Sequence, residues 1–363
     1  MTPALGHLLI EGATVVSLCP GRNKGVSRPA GVFDRNGQSV PLAQCTRDGR
    51  QRVTAPPPPP PPPPTRHLPG TWLFGGMLYG HFGHFLCEST SRLWGFDLPH
   101  AVDGVIFHPK PTDGKTRRLL GPTLPWLRVA GVATPVEAPI ETVTVDRLLI
   151  PEQGFGTGPM IAGRPEYRAY MRRTFGAGIK ADGPDRLYIS RTNLYSKRGR
   201  ILGEHGIEAA LAAEGYEIYH PQEHDITHQI ARYKAARQVI STDCSALHLA
   251  AFFATAESRL AIIARRPGPT IHEFTAQYQA FAGVQPLVID ALTGLWATEH
   301  ARLAQMSEVY ATLDFPATGA ALASAGFIAD PSQWTAPPED VIAAERLALS
   351  SRIESPLRLI DMP

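Results

Sequence analysis

The sequence predicts an α/β protein whose second half is a doubly wound parallel sheet. Between residues 186 and 263, short β-rich runs alternate with helical patterns over short loops, an arrangement that requires parallel crossovers. The first 55 residues read instead as short strands broken by the turn signals Pro20-Gly21, Asn36-Gly37 and Asp48-Gly49, a β-rich N-terminal extension. A chain of 363 residues that is 43% hydrophobic and 19% charged can bury a substantial core and is not globally disordered.

In chain order, residues 1–55 form the β-rich segment and residues 56–65 a spacer. Nine consecutive prolines, Pro56 to Pro64, favour a polyproline II rod about 28 Å long at roughly 3.1 Å per residue. It reads as a surface spacer in preference to a ligand for an SH3-type groove, because composition alone names no partner. Residues 66–160 form a first domain, with a helix over 78–94 followed by strands at Gly104–Phe107, Glu141–Val145 and Arg147–Ile150. The Gly/Pro-rich stretch 151–165 is the expected linker. Residues 161–300 form the doubly wound domain. Its expected strands are Arg186–Ser190, Tyr216–Tyr219, Gln238–Ser241 and Leu260–Ile263. The helix between the first two stops at Gly215, where a C-terminal cap belongs. Residues 301–363 are expected to be a helical tail.

Charge narrows the partners. Thirty-five basic against 33 acidic residues leave a formal charge of +2, too close to neutrality for a broad nucleic-acid face. Four scattered cysteines without C-x-x-C spacing fit a reducing compartment. The N-terminus lacks signal-peptide character, and no apolar run is long enough to span a membrane. The expectation is a cytoplasmic protein.

In doubly wound sheets ligands bind beyond the carboxyl ends of the strands. Counting Arg186 at the start of that strand, the loop after the first of these strands gathers Arg186, Arg191, Lys197, Arg198 and Arg200, groups suited to a diphosphate. The turn Ser241-Thr-Asp-Cys-Ser245 runs directly into a helix, whose first N–H groups suit phosphate. There Asp243 either caps the helix or accepts bonds from sugar or ribose hydroxyls. In the 78–94 helix, His81, His84, Glu88 and Arg92 share one stripe. That stripe reads as a site wall with Glu88 or a histidine as general base. A metal site built on His81, His84 and Glu88 is the rival reading, and structural histidines a third. Two weaker patterns carry little. Gly154-Phe-Gly156-Thr-Gly158 lacks the spacing of a dinucleotide fingerprint, and His224 and His228 lack the glutamate of a zincin.

Gly83-His-Phe-Leu-Cys-Glu88 followed by Arg92-Leu-Trp94 resembles the signature of family 61 glycosyltransferases. So do Arg186-Leu-Tyr-Ile-Ser-Arg191, Arg198 and Arg200, Glu214-Gly-Tyr216, Pro221-Gln-Glu223, Gln229 and the strand–turn–helix at 239–252. Together they cover roughly residues 75 to 255 in the family's order. The resemblance implies a GT-B type fold, two Rossmann-like domains facing across a cleft. It also implies inverting, metal-independent transfer from a nucleotide sugar, with the donor on the second domain and the acceptor on the first. The chain departs from the family at one turn, with Asp243-Cys-Ser-Ala-Leu247 and then His248 in place of a His-Gly-Ala-Gly-Leu type turn.

The resulting expectation is a glycosyltransferase of bacterial polysaccharide-assembly type. Its site would comprise Glu88, His84 and His81 as catalytic groups and Arg92 on the acceptor side. Arg191, Lys197, Arg198, Arg200, Asp243, Ser245 and His248 would bind the donor. No cofactor or metal is expected. The partners would be a nucleotide-sugar donor and a glycan or lipid-linked saccharide acceptor, the latter drawing the protein to the inner membrane face. The alternatives are a non-catalytic nucleotide-sugar or glycan-binding protein of the same fold and a metal-dependent hydrolase.

Overall fold

The computed structural model describes residues 4–17, 28–110, 119–194, 198–301 and 306–362. The chain divides into two compact units, Met1–Gly178 and Ile179–Pro363.

The first unit is built on a six-stranded mixed sheet. Its strands are β1 (His7–Val16), β2 (Gly31–Phe33), β3 (Arg66–Leu78), β4 (Gly104–Pro109), β5 (Val136–Glu137) and β6 (Val143–Pro151), in the order β2-β1-β6-β3-β4-β5. The β6, β3, β4 and β5 strands run parallel, whereas β1 pairs antiparallel with both β6 and β2. The unit is therefore not a pure doubly wound domain, and residues 1–55 are not an appendage. Ala13 and Val15 of β1 and Val32 of β2 pack with Phe74, Ile106, Val145 and Leu148 in one core. The period-2 pattern of β1 needs a sheet to cover it, and β6 supplies one edge.

The central strand β3 is buried along Thr71–Leu78, as expected of a strand covered on both faces. Its register shifts between Phe74 and Gly76. Gly76 adopts φ +86°, which only glycine takes cheaply, and this bulge steers the chain toward the site that follows. The proline run joins the short strand Thr54–Ala55 to β3.

The expected linker proves to be interior. Phe155 is buried and stacks on Tyr167 at 4.7 Å, and the Tyr167 hydroxyl meets Thr90 Oγ1 at 2.6 Å. After α1 (Leu120–Val129), Tyr167 lies on α2 (Pro165–Thr174), so this helix belongs to the first unit and the boundary moves to Gly178. The Gly/Pro signals were real turns, but aromatic anchors among them fasten the segment down.

The second unit has a five-stranded, wholly parallel sheet. Its strands are β7 (Arg186–Ile189), β8 (Glu217–Tyr219), β9 (Gln238–Thr242), β10 (Arg259–Ile263) and β11 (Leu287–Ile289), in the order β8-β7-β9-β10-β11. The crossovers are α3 (Glu204–Ala213), α4 (Ile226–Ala235), α5 (Ala246–Ala251) and α6 (Thr270–Ala282). The doubly wound expectation holds here strand by strand, and Gly215 adopts φ +82° past the end of α3. The strand order reverses between β7 and β9, which opens a crevice at their carboxyl ends.

The expected helical tail is instead part of this unit. Strands β12 (Leu292–Ala297), β13 (Tyr310–Leu313) and β14 (Arg358–Ile360) make a second small sheet. Leu313, Phe315, Leu322 and Trp334 join the core over β9 and β10. Gly319 of α7 (Phe315–Ser324) admits Trp334 so closely that a Cβ would lie 2.4 Å from its ring. No helix among the described residues is long and apolar enough to cross a membrane.

Candidate active site

After β3 the chain does not form one continuous helix. A short α-turn, Phe82–His84, passes into a π-helical turn, Phe85–Ser89, and then a 3₁₀ turn, Leu93–Asp97. Widened turns of this kind occur often at functional positions, because they re-aim side chains. Here the change of winding splits the expected stripe. His84 and Glu88 face each other, with His84 Nδ1 2.5 Å from Glu88 Oε1. Arg92 is rotated into the interior, 1% exposed. It donates to the carbonyls of Pro151, Leu42 and Gln44 and lies over Phe74. The expected acceptor-side role of Arg92 therefore gives way to a structural one, tying β6 to the N-terminal segment.

Glu88 is 4% exposed, whereas 34% of the His84 side chain reaches solvent. Burial alone would raise the Glu88 pKa. The His84 hydrogen bond and charge, with Arg47 3.4 Å away, outweigh it and hold the carboxyl below its ordinary value. An ionised carboxylate only accepts, so the shared proton sits on His84 Nδ1 and leaves Nε2 as the basic nitrogen. The Tyr79 ring stacks on His84 at 5.4 Å, and Lys110 Nζ lies 5.0 Å from the Tyr79 centroid. Burial and the Glu88 charge push the Tyr79 phenol well up, which keeps it protonated. The His81 ring packs 5.1 Å from that of His84. Among the described residues no group of three or more His, Cys, Asp or Glu side chains is placed to hold a metal ion. The ligand trio imagined for His81, His84 and Glu88 does not form.

Arg47 was not foreseen, because it belongs to the supposed extension. Gln153 places it, accepting from Thr46 N at 2.7 Å and donating to Thr46 O at 3.1 Å. Its signal was weak, a single arginine in a short hairpin.

In the second unit the carboxyl ends of β7, β9 and β10 meet. Arg191 is buried and donates to Gly199 O at 2.9 Å, while its own N–H goes to Glu204 Oε1. Arg200 donates to the carbonyls of Thr192 and Leu194. Both arginines thus shape the loop, whereas Arg198 is exposed. Lys197 lies outside the described residues. Arg186 sits at the amino end of β7, opposite the crevice, and bonds Glu214 O, so it leaves the expected basic cluster.

Asp243 neither caps α5 nor faces outward. It is 1% exposed, accepts from Arg265 N at 3.1 Å and Arg266 Nε at 2.9 Å, and lies 3.4 Å from Arg265 Nε. The next strand end thus neutralises the carboxylate expected to meet sugar hydroxyls. Ser245 makes no side-chain cap bond, and α5 is only six residues long. His248 is buried, with Nδ1 2.7 Å from Gln277 Oε1, so α6 clamps it.

Arg265 and Arg266 are the functional candidates that the strand-end argument reached but did not name, since they follow Ile263 with only Ala264 between. Burial pushes the Arg265 guanidinium down to about 9, against the Asp243 charge, so it stays cationic at neutral pH. The nearby charges of Arg191 and Arg266 act in the same lowering direction. Arg265 Nη1 and Arg191 Nε are buried N–H groups without a hydrogen-bond acceptor. Orphaned donors on buried cations are costly unless an anion completes them.

No curated protein matches the chain. The family model described as Glycosyltransferase 61 matches residues 82–261, about half of the chain. The matched stretch holds the His84–Glu88 pair, the Arg191–Arg200 loop and Asp243, and it stops just short of Arg265 and Arg266. The chain belongs to glycosyltransferase family 61 and is a glycosyltransferase.

Proposed function

We propose that the protein moves a sugar from a nucleotide-sugar donor to a hydroxyl of a glycan or polysaccharide acceptor, with inversion at the anomeric carbon and without a metal ion. The observation that carries this reading is the buried, ionised Glu88 holding Nδ1 of a partly exposed His84. Such a pair fixes the tautomer and makes Nε2 a general base, in the manner of a carboxylate–histidine couple in acyl transfer.

The acceptor O–H gives its proton to His84 Nε2, and its oxygen bonds to the anomeric carbon as the bond to the diphosphate oxygen breaks. The electron pair leaves with the nucleoside diphosphate. The imidazolium that forms is stabilised by Glu88, and the leaving charge is met by Arg191, Arg265 and Arg266, with the exposed Arg198. These permanent cations offer the charge compensation that a divalent ion would otherwise supply. In this reading the first unit serves the acceptor and the second the donor, as in a GT-B enzyme. A lipid-linked acceptor would bring the protein to a membrane surface.

The test is sugar transfer from a panel of nucleotide sugars, with and without EDTA, and NMR assignment of the product anomer. Inverted product that survives EDTA is expected. Failure to bind any nucleoside diphosphate overturns the donor class, strict metal dependence overturns the charge argument, and retained configuration overturns the single displacement.

A further inference from the structure

A cluster of three aromatic rings stands at the carboxyl end of β8, outside the residues already placed in the reaction. Tyr219 ends that strand, His224 follows the turn Pro221–Glu223, and His228 lies in the first turn of α4. The three planes are nearly parallel. Tyr219 and His224 differ by 9° at 5.0 Å, His224 and His228 by 14° at 4.1 Å, and Tyr219 and His228 by 20° at 5.7 Å. All three separations are short, so the rings are not a linear pile. Tyr219 and His228 are also joined by a hydrogen bond of 3.1 Å between the Tyr219 hydroxyl and His228 Nδ1. His224 stacks on both. His224 is exposed, while Tyr219 beneath it is buried. The outcome is a flat aromatic surface whose outermost ring is open to solvent.

The platform is supported from below and tied to the cationic strand ends. Tyr233 meets Tyr219 edge-on at 6.0 Å, and Asp225 caps α4 by accepting from His228 N at 2.8 Å. Gln229 donates to Pro221 O and His224 O and so fixes the turn that carries His224. Asn193 Nδ2 donates to Glu223 Oε1 at 2.7 Å, which links the turn to the loop that begins at Arg191. β8 and β7 are also direct neighbours in the sheet, and paired strands lie about 4.8 Å apart.

We infer that the outer face of His224 stacks the nucleobase of the donor's nucleoside diphosphate, while the arginines one and more strands away hold the diphosphate. The inference rests on the proposed nucleotide-sugar reading and adds the part of the ligand that the diphosphate argument leaves unplaced. A base needs a flat, polarisable partner, and histidine is among the side chains that serve as one. The nearby orphaned guanidinium N–H groups mark the anionic end of the same ligand.

The experiment is titration calorimetry on the full chain with UDP, GDP, CDP and ADP, and with inorganic pyrophosphate as the base-free probe. His224→Ala weakens the preferred nucleoside diphosphate about tenfold, within the range of base–aromatic stacking, and leaves pyrophosphate unchanged. His224→Trp keeps a flat ring and restores the nucleotide affinity, which separates lost stacking from a disturbed turn. Unchanged nucleotide affinity in His224→Ala overturns the inference while the donor reading stands. Equal weakening of nucleotide and pyrophosphate also overturns it, because the residue would then act through the phosphate site. A wild-type chain that binds none of the four nucleotides overturns the donor reading itself.

Discussion

Each unit buries a carboxylate under cations, and the two do opposite things with it. In the first unit Glu88 sits under His84 and Arg47, and the cluster leaves the His84 imidazole partly exposed. In the second, Asp243 is enclosed by Arg265 and Arg266 and offers no oxygen to a ligand, while Arg191 adds a third fixed cation. Proton transfer needs a group with an open lone pair within reach of the acceptor hydroxyl. Holding a leaving diphosphate needs charge that never leaves. In the proposed reaction, a chain with a formal charge of only +2 would have to serve both needs with a few locally placed cations.

Removing the imidazole should separate the two roles most sharply. His84→Ala should lower turnover about 10²- to 10⁴-fold and leave nucleotide affinity within twofold, measured by steady-state kinetics and calorimetry. An affinity loss at unchanged turnover would break the division of labour. Next in size, Asp243→Asn leaves two packed guanidiniums without their counter-charge. It should cost about 3–5 kcal/mol in urea denaturation, and a value under about 1 kcal/mol would show the cluster to be well solvated.

A third test concerns acid stability. His108 is fully buried on β4 with neither ring nitrogen bonded, and burial, aided by Arg92, pushes its pKa down to about 3. The unfolded chain takes up this proton near pH 6.5 and the folded chain only near 3, so stability falls as pH drops through that window. His108→Phe should flatten the decline in thermal midpoint between pH 6.5 and 3. An unchanged slope would assign the acid sensitivity elsewhere. Glu88 adds a smaller loss at lower pH, because its depressed pKa favours the fold above about 4.5 and this benefit disappears as pH falls through the folded value.

The smallest effect belongs to Arg47→Ala. A quarter-exposed ion pair contributes on the order of 1 kcal/mol or less. Turnover should drop a few-fold, and the acid limb of the pH–rate profile should move upward as Glu88 loses a cation. A downward shift would contradict the placement of Arg47.

Much of the second unit was legible in the sequence because local signals and tertiary outcome agree there. Each parallel strand is a short apolar run, each crossover a helical pattern, and Gly215 marks an end that the structure also has. The first unit was legible mainly in its motif. His84 and Glu88 were found by spacing, but the π-helical turn that sends Arg92 inward has no clear local signal. A helical wheel assumes uniform winding, and the Gly76 bulge and the packing of Tyr167 on Thr90 override it. Residues 151–165 mislead for a related reason, since turn residues show where a chain bends and not whether the bend is covered.

The family, the doubly wound half and the His84–Glu88 pair are legible in the sequence, because they depend on short-range periodicity and on motifs within a few residues. Which of the candidate side chains are enclosed and which stay open is a matter of the tertiary packing. It paired His84 with Glu88, enclosed Asp243 between Arg265 and Arg266, and turned Arg92 and His248 inward. The His84–Glu88 pair is a local contact four residues apart, but the other outcomes rest on contacts between residues far apart in the chain, where burial and the demand that enclosed polar groups find partners outweigh local preference.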